Sequence, residues 1–154
     1  MKEIKGNLIT LAQQGEFDII AHGCNCFCRM RSGIAPQIAK AFPEAEEADN
    51  KTVSGDITKL GNYSIGINEL GSRGYLYVLN IYSQYEYNAS TKPLDYEALT
   101  LALRKINHNF IKYTIGLPLI GCGLAGGEWG RVKKIIETEL NNIDVTIVHY
   151  EEEN

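Results

Sequence analysis

The stretch GLPLIGCGLAGGEWGRVKKIIE, residues 116–137, constrains the fold of this sequence most. An apolar run enters a loop with four glycines in seven residues, 121–127, and a helical pattern follows. So many glycines add nothing to a core, but they permit left-handed backbone and close approach of the main chain to a ligand. Successive N–H groups in such a turn, next to a helix start, can meet an anion. A plain flexible surface loop is the alternative. Residues 121–126 also fit G-x-G-x-x-G, but only one helix and one strand follow, too little for a dinucleotide-binding half.

A second stretch has the same layout. FDIIAHGCNCFCRMRSGIAPQIAKAF, residues 17–42, reads as a buried strand, a loop of small residues and a helix with Ile34, Ile38 and Phe42 at helical spacing. Pro36 falls in the first turn, where proline is tolerated. If the two strands are neighbours, both loops leave the same edge of the sheet and face each other across a slot suited to a diphosphate.

The remaining pattern supplies the other elements. Residues 3–10 alternate and read as a strand. Residues 43–50 suggest a short helix, and 62–70 and 74–83 read as paired strands joined at GSRG. Residues 94–110 place Leu99, Ala102, Leu103, Ile106 and Phe110 on one helical face, with Asp95 as N-cap. Residues 113–121 read as an apolar strand. Residues 128–140 form a helix with Trp129, Val132, Ile136 and Leu140 on one face, and 144–150 close the chain as a strand. The order ββααββαβαβ predicts an α/β three-layer domain with a mixed, mainly parallel sheet, its ligand beyond the carboxyl ends of the strands.

The 154 residues suit one domain. A net charge of −4 and the lack of a long basic cluster argue against bulk nucleic-acid binding. No apolar run is long enough for a membrane helix, and the charged, alternating N-terminus does not read as a signal peptide. The expected setting is the cytoplasm, with the four cysteines reduced. Cys24, Cys26 and Cys28 lack the second pair that a zinc site needs, so no metal or cofactor is expected. A thiolate lowered by a helix N-terminus is a further alternative. The favoured reading is small buried residues beside a ligand loop.

These loops resemble those of macrodomains, the ADP-ribose-binding α/β fold, over nearly the whole chain. KGNLI resembles the family's G-D-[IL] motif, IIAHGCNCFCRMRSGIA its V-N-A-A-N…G-G-G-V loop, and PLIGCGLAGGEW its phosphate-cradling loop. GLAGG and SGIAPQIAKAFPEA look like the small branch related to yeast-type ADP-ribose-1''-phosphate phosphatase, also found in bacteria and phages.

The resemblance implies that Asn7 takes the place of an Asp that binds the adenine amino group, with its amide oxygen accepting instead and Leu8 beside it. Asn25 falls at the distal ribose, and His22 replaces an Asn. Gly33, Ile34 and Ala35 fall on one diphosphate loop, with Arg31 and Ser32 before them as further ligand-binding candidates. Gly121, Cys122, Gly123, Leu124, Ala125, Gly126 and Gly127 form the other. Tyr150 is placed to stack on adenine, with His149 as the alternative. Relatives that cleave ADP-ribose from protein carboxylates carry an Asp where this chain has Ala125, and a Lys near NIYSQ, where it has none. Arg31 stands where relatives have Gly; it would fill the distal-ribose pocket or reach a terminal phosphate.

The implied activity is hydrolysis of ADP-ribose-1''-phosphate, with His22 as acid–base group because its ordinary pKa is near neutral. His22 as a hydrogen-bonded structural residue is the competing reading. The alternatives for the whole chain are a non-catalytic module for ADP-ribose or a related NAD metabolite and, less favoured, removal of ADP-ribose from proteins. A monomer is expected.

Overall fold

The computed structural model describes residues 1–152. Its strands are β1 (Lys2–Gly6), β2 (Ile19–Cys24), β3 (Tyr63–Glu69), β4 (Tyr75–Tyr82), β5 (Thr114–Leu117) and β6 (Asp144–Tyr150). They form one mixed sheet in the order β1-β6-β5-β2-β4-β3. Only the β3–β4 pair is antiparallel, joined by a short 3-10 turn at Gly71–Arg73 where GSRG was expected to turn.

Alternation along the buried strands divides their side chains between two cores. Ile20, Val78 and Val148 face the helices α1 (Leu8–Gln13), α2 (Ala35–Ala41) and α3 (Pro43–Asn50). Ile19, Leu79, Ile115 and Ile147 face α4 (Tyr96–Asn109) and α5 (Trp129–Glu139). The architecture is the expected α/β/α sandwich. On α4, Leu99, Ala102, Leu103 and Ile106 are fully buried, and the Asp95 carboxylate accepts from the Ala98 N–H at 3.0 Å as the N-cap.

Two elements differ from the sequence reading. Residues 3–10 are not one strand. The chain leaves β1 at Gly6, and Asn7 caps α1, its Oδ1 accepting from the N–H groups of Ile9 (3.0 Å) and Thr10 (3.2 Å). Two satisfied N–H groups and burial of Leu8 and Ala12 outweigh the local alternation. The strand expected over 113–121 stops at Leu117, because Pro118 has no N–H for the ladder.

The β2–β5 pairing, Ile19 with Ile115 and Ile20 with Gly116, is the feature that positions the site. Both strands are parallel, so both glycine-bearing loops leave one edge of the sheet side by side.

Candidate functional site

The two loops enclose a cavity of about 230 Å³, walled by His22, Gly23, Ser32–Ala35 and residues 118–125 other than Cys122. A second, more apolar slot of about 330 Å³ continues from it, between Asn7, Leu8, Ile34, Val148 and Tyr150. Gly33, Ile34, Pro118 and Leu119 line both, so the two spaces form one bent cleft over the strand ends.

The loop after β5 is held open by bonds within itself. Gly127 N–H donates to Gly121 O at 2.7 Å, Gly126 N–H to Gly123 O at 3.1 Å and Cys122 N–H to Leu119 O at 3.2 Å. Gly121 has φ +70°, and an added Cβ there would come within 2.7 Å of Leu94; one on Gly127 would come within 2.6 Å of Gly121 O. Glycine is required at both positions. The N–H groups of Gly121, Gly123, Leu124 and Ala125 find no acceptor among the described residues, and all four residues line the cavity. Cys122, Gly126 and Gly127, whose N–H groups are bonded within the loop, lie outside its lining. Opposite, the N–H groups of Ser32, Gly33 and Ile34 are likewise without an acceptor. Unpaired amides on both walls are what an anionic diphosphate needs.

The loop after β2 is braced by its side chains. Asn25 donates through Nδ2 to Arg29 O and accepts through Oδ1 from Phe27 N–H, each at 2.9 Å. Both ends of its amide are therefore engaged in bracing the loop, and Asn25 is not among the residues that wall the cavity. Arg31 is exposed and outside the lining of both spaces, so it neither fills the pocket nor stands in its wall. Cys24 and Cys26 are buried; burial pushes the Cys26 thiol up to about 11 and the Cys24 thiol well above its ordinary value, which argues against a reactive thiolate at either. Burial also raises the half-buried Cys122. Among the described residues no His, Cys, Asp and Glu cluster could hold a metal ion.

His22 forms part of the cavity wall but is 1% exposed, and burial lowers its pKa to about 4 despite a hydrogen bond to Asn80. At neutral pH it is uncharged, which corrects the expectation of a near-neutral acid–base group. Its tautomer follows from its neighbours. The Asn80 Nδ2 donates to Ala45 O (2.9 Å) and Ser64 Oγ (3.0 Å), so Asn80 Oδ1 faces His22 Nε2 at 2.8 Å and accepts from it. The proton sits on Nε2 and Nδ1 carries the lone pair. The chain of bonds continues from Ser64 to the Tyr82 hydroxyl, which donates to the buried Asp49 carboxylate at 2.8 Å. Burial raises the pKa of Asp49.

In the slot, Leu8 is buried, Asn7 is half-buried and Tyr150 is 68% exposed at the rim. The Asn7 oxygen expected to meet a base instead caps α1. Val148 and Gln37 were missed from the sequence, as were Gln84 and Tyr87 at the mouth of the cavity. Val148 could have been found from its place in the closing strand, whose successive side chains point to opposite sheet faces; Gln84 and Tyr87 carry no comparable signal. Ser83 Oγ, buried beside Gly23, has no partner among the described residues.

The Macro domain family profile matches residues 21–136. The chain is 37% identical to an uncharacterized 17.5 kDa protein of Enterobacteria phage T4, over 98% of this chain and 97% of the phage protein. It is 30% identical to the ADP-ribose glycohydrolase OARD1 of Bos taurus, over 96% of this chain and 88% of the relative. Among solved structures, a Bacteroides thetaiotaomicron protein of unknown function superposes with a TM-score of 0.79 at 26% identity, covering 96% of each chain. Thermosipho africanus DarTG, solved in complex with ADP-ribose, shares the fold with a TM-score of 0.76 at 19% identity, over 99% of this chain and 42% of that one.

Proposed function

This chain belongs to the Macro domain family, and we propose that it binds ADP-ribose or a derivative modified at the distal ribose, with the base in the apolar slot and the diphosphate between the two loops. The observation that carries this reading is the set of amides without acceptors, Ser32–Ile34 on one wall and Gly121 with Gly123–Ala125 on the other. Main-chain donors fixed before the ligand arrives need little reorganisation when it binds. The Thermosipho relative solved with ADP-ribose and the mammalian glycohydrolases support the ligand class.

A second reading adds hydrolysis of the terminal phosphate of ADP-ribose-1''-phosphate. It is favoured by His22 in the cavity wall, whose Nε2–H donates to Asn80 Oδ1 and whose Nδ1 remains an acceptor, with the Cys24 thiol 3.8 Å from it. Phosphoryl transfer to water asks mainly for positioning and for donors to the equatorial oxygens. In this reading the loop amides supply the donors, and neutral His22 helps to orient water. Cleavage from protein carboxylates is less favoured, because Ala125, where such relatives have an Asp, lines the cavity and offers no acid–base group.

Calorimetric titration with ADP-ribose tests binding, and phosphate release from ADP-ribose-1''-phosphate tests hydrolysis. Binding with phosphate release that is reduced in His22→Ala supports both readings. Binding without release makes the chain a reader of the nucleotide. Release of ADP-ribose from a modified glutamate would contradict the preference against the glycohydrolase reaction, and no binding at millimolar ligand would contradict the whole proposal.

A further inference from the structure

Lys59 is a buried cation. It ends the 3-10 turn Ile57–Lys59, is 8% exposed and forms no ion pair among the described residues. Its Nζ donates to Thr52 Oγ1 at 2.8 Å, lies 5.0 Å from the centre of the Tyr82 ring and stands 3.7 Å from the Cys28 Sγ. The buried Asp49 carboxylate is taken by the Tyr82 hydroxyl. Burying an ammonium without a carboxylate partner is costly. The ligand cleft does not use it, since Lys59 and Cys28 both lie outside the lining of its two spaces.

Cys28 meets this lysine on an uncommon backbone. Its φ of +55° is in the left-handed region that residues other than glycine seldom adopt. The thiol faces Asp49 O at 3.2 Å and Thr52 O at 3.6 Å, beside Nζ. Cys24 and Cys26 are buried, whereas Cys28 and Cys122 are half-buried and open to a small solute. Cys122 bonds only to Ile120 O. Among the four cysteines, Cys28 alone combines such access with a bonded lysine nitrogen.

We infer that Cys28 and Lys59 are a redox-sensitive pair, which hydrogen peroxide converts into an S–N cross-link between the loop after β2 and the 3-10 turn. In the first step the sulfur takes one oxygen of the peroxide and the O–O bond breaks. The products are the sulfenic acid and water; the sulfur is oxidised by the two electrons that reduce the peroxide. In the second step Nζ, having released one proton to solvent, attacks the sulfur. The S–N bond forms, the S–O bond breaks, and the hydroxyl leaves with a second lysine proton as water. A sulfenic acid is otherwise open to irreversible oxidation, and a neighbouring nitrogen captures it first. Two equivalents of a thiol reduce the S–N bond, returning Cys28 and Lys59 and forming a disulfide of the reductant. The inference does not depend on which ligand the cleft takes.

The test treats the whole chain with hydrogen peroxide and reads intact mass, free thiols and a tryptic map. The expected product has lost two hydrogens and one of its four thiols, and contains a peptide pair joined through Cys28 and Lys59 and uncut after Lys59. Dithiothreitol should restore the starting protein. The link constrains partners 31 residues apart and should raise the melting temperature by about 5 °C. Lys59→Arg keeps the charge without the amine; it should yield no cross-link and carry Cys28 on to the sulfinic acid. Cys28→Ser should yield no cross-link either. Loss of two thiols to a disulfide, a sulfinic Cys28 beside a free Lys59 in the wild type, or oxidation of Cys122 with Cys28 untouched would each overturn the inference. The wild-type map decides this even where a variant fails to fold.

Discussion

The two loops of the cleft present the same kind of group by different means. The loop after β5 shapes itself through its main chain, with the Gly127–Gly121 and Gly126–Gly123 bonds closing a turn too tight for a Cβ at Gly121 or Gly127. The loop after β2 is braced by the Asn25 amide and by the Cys28 thiol, which lies 3.2 Å from Asp49 O, and a buried histidine stands at the end of its strand. A loop built by its backbone tolerates few substitutions at its glycines. One built by side chains loses its shape in steps, and its strand end responds to pH.

The largest effect is expected from Gly127→Ala, whose Cβ would be driven against the carbonyl that its own N–H binds. Loss of about 3 kcal/mol of stability and about a hundredfold in ADP-ribose affinity should follow, read by denaturation and calorimetry. Near-normal binding would show that the loop does not depend on this closure.

The β2 side should show a pH dependence. The folded pKa of His22, about 4, lies below its ordinary value of 6.5, so the unfolded chain takes up the proton first. Stability from neutral burial is present above pH 6.5 and is lost as pH falls toward 4. The raised pKa of Asp49 acts in the opposite sense as its carboxylate takes up a proton. The loss attributable to His22 is about 3 kcal/mol. His22→Gln should flatten urea-derived stability across that window. An unchanged slope would mean that the histidine is not held neutral by the fold.

Asn25→Ala removes two loop bonds and should cost about 1 kcal/mol of stability, with a loss of affinity under about tenfold. A loss as large as that from Gly127→Ala would erase the contrast between the loops. Arg31→Gly, at an exposed position outside the cleft lining, should change affinity by less than about threefold, since surface substitutions have small effects.

What the sequence disclosed follows the same division. Local signals were legible: the apolar period of α4, its Asp95 cap and the two strand–loop–helix units. The start of α1 was misread as strand, although its own local signals were present. Asn7 is a good N-cap, Leu8, Leu11 and Ala12 have helical spacing, and Gly15 with φ +80° follows the end of the helix. The orientation of His22 was not legible. It depends on Asn80, 58 residues away, and through Ser64 and Tyr82 on Asp49. No local pattern reports such pairings. Nor could residue types reveal that Asn25 would be used up inside its loop, or that the Asn7 oxygen would be held by a helix.

The most direct measurement is an amide NMR titration with ADP-ribose. The account predicts large shifts for the N–H groups of Ser32–Ile34, Gly121 and Gly123–Ala125, and smaller ones for Cys122, Gly126 and Gly127, whose bonds are already made within the loop. Saturable binding that leaves the first group unmoved would contradict it.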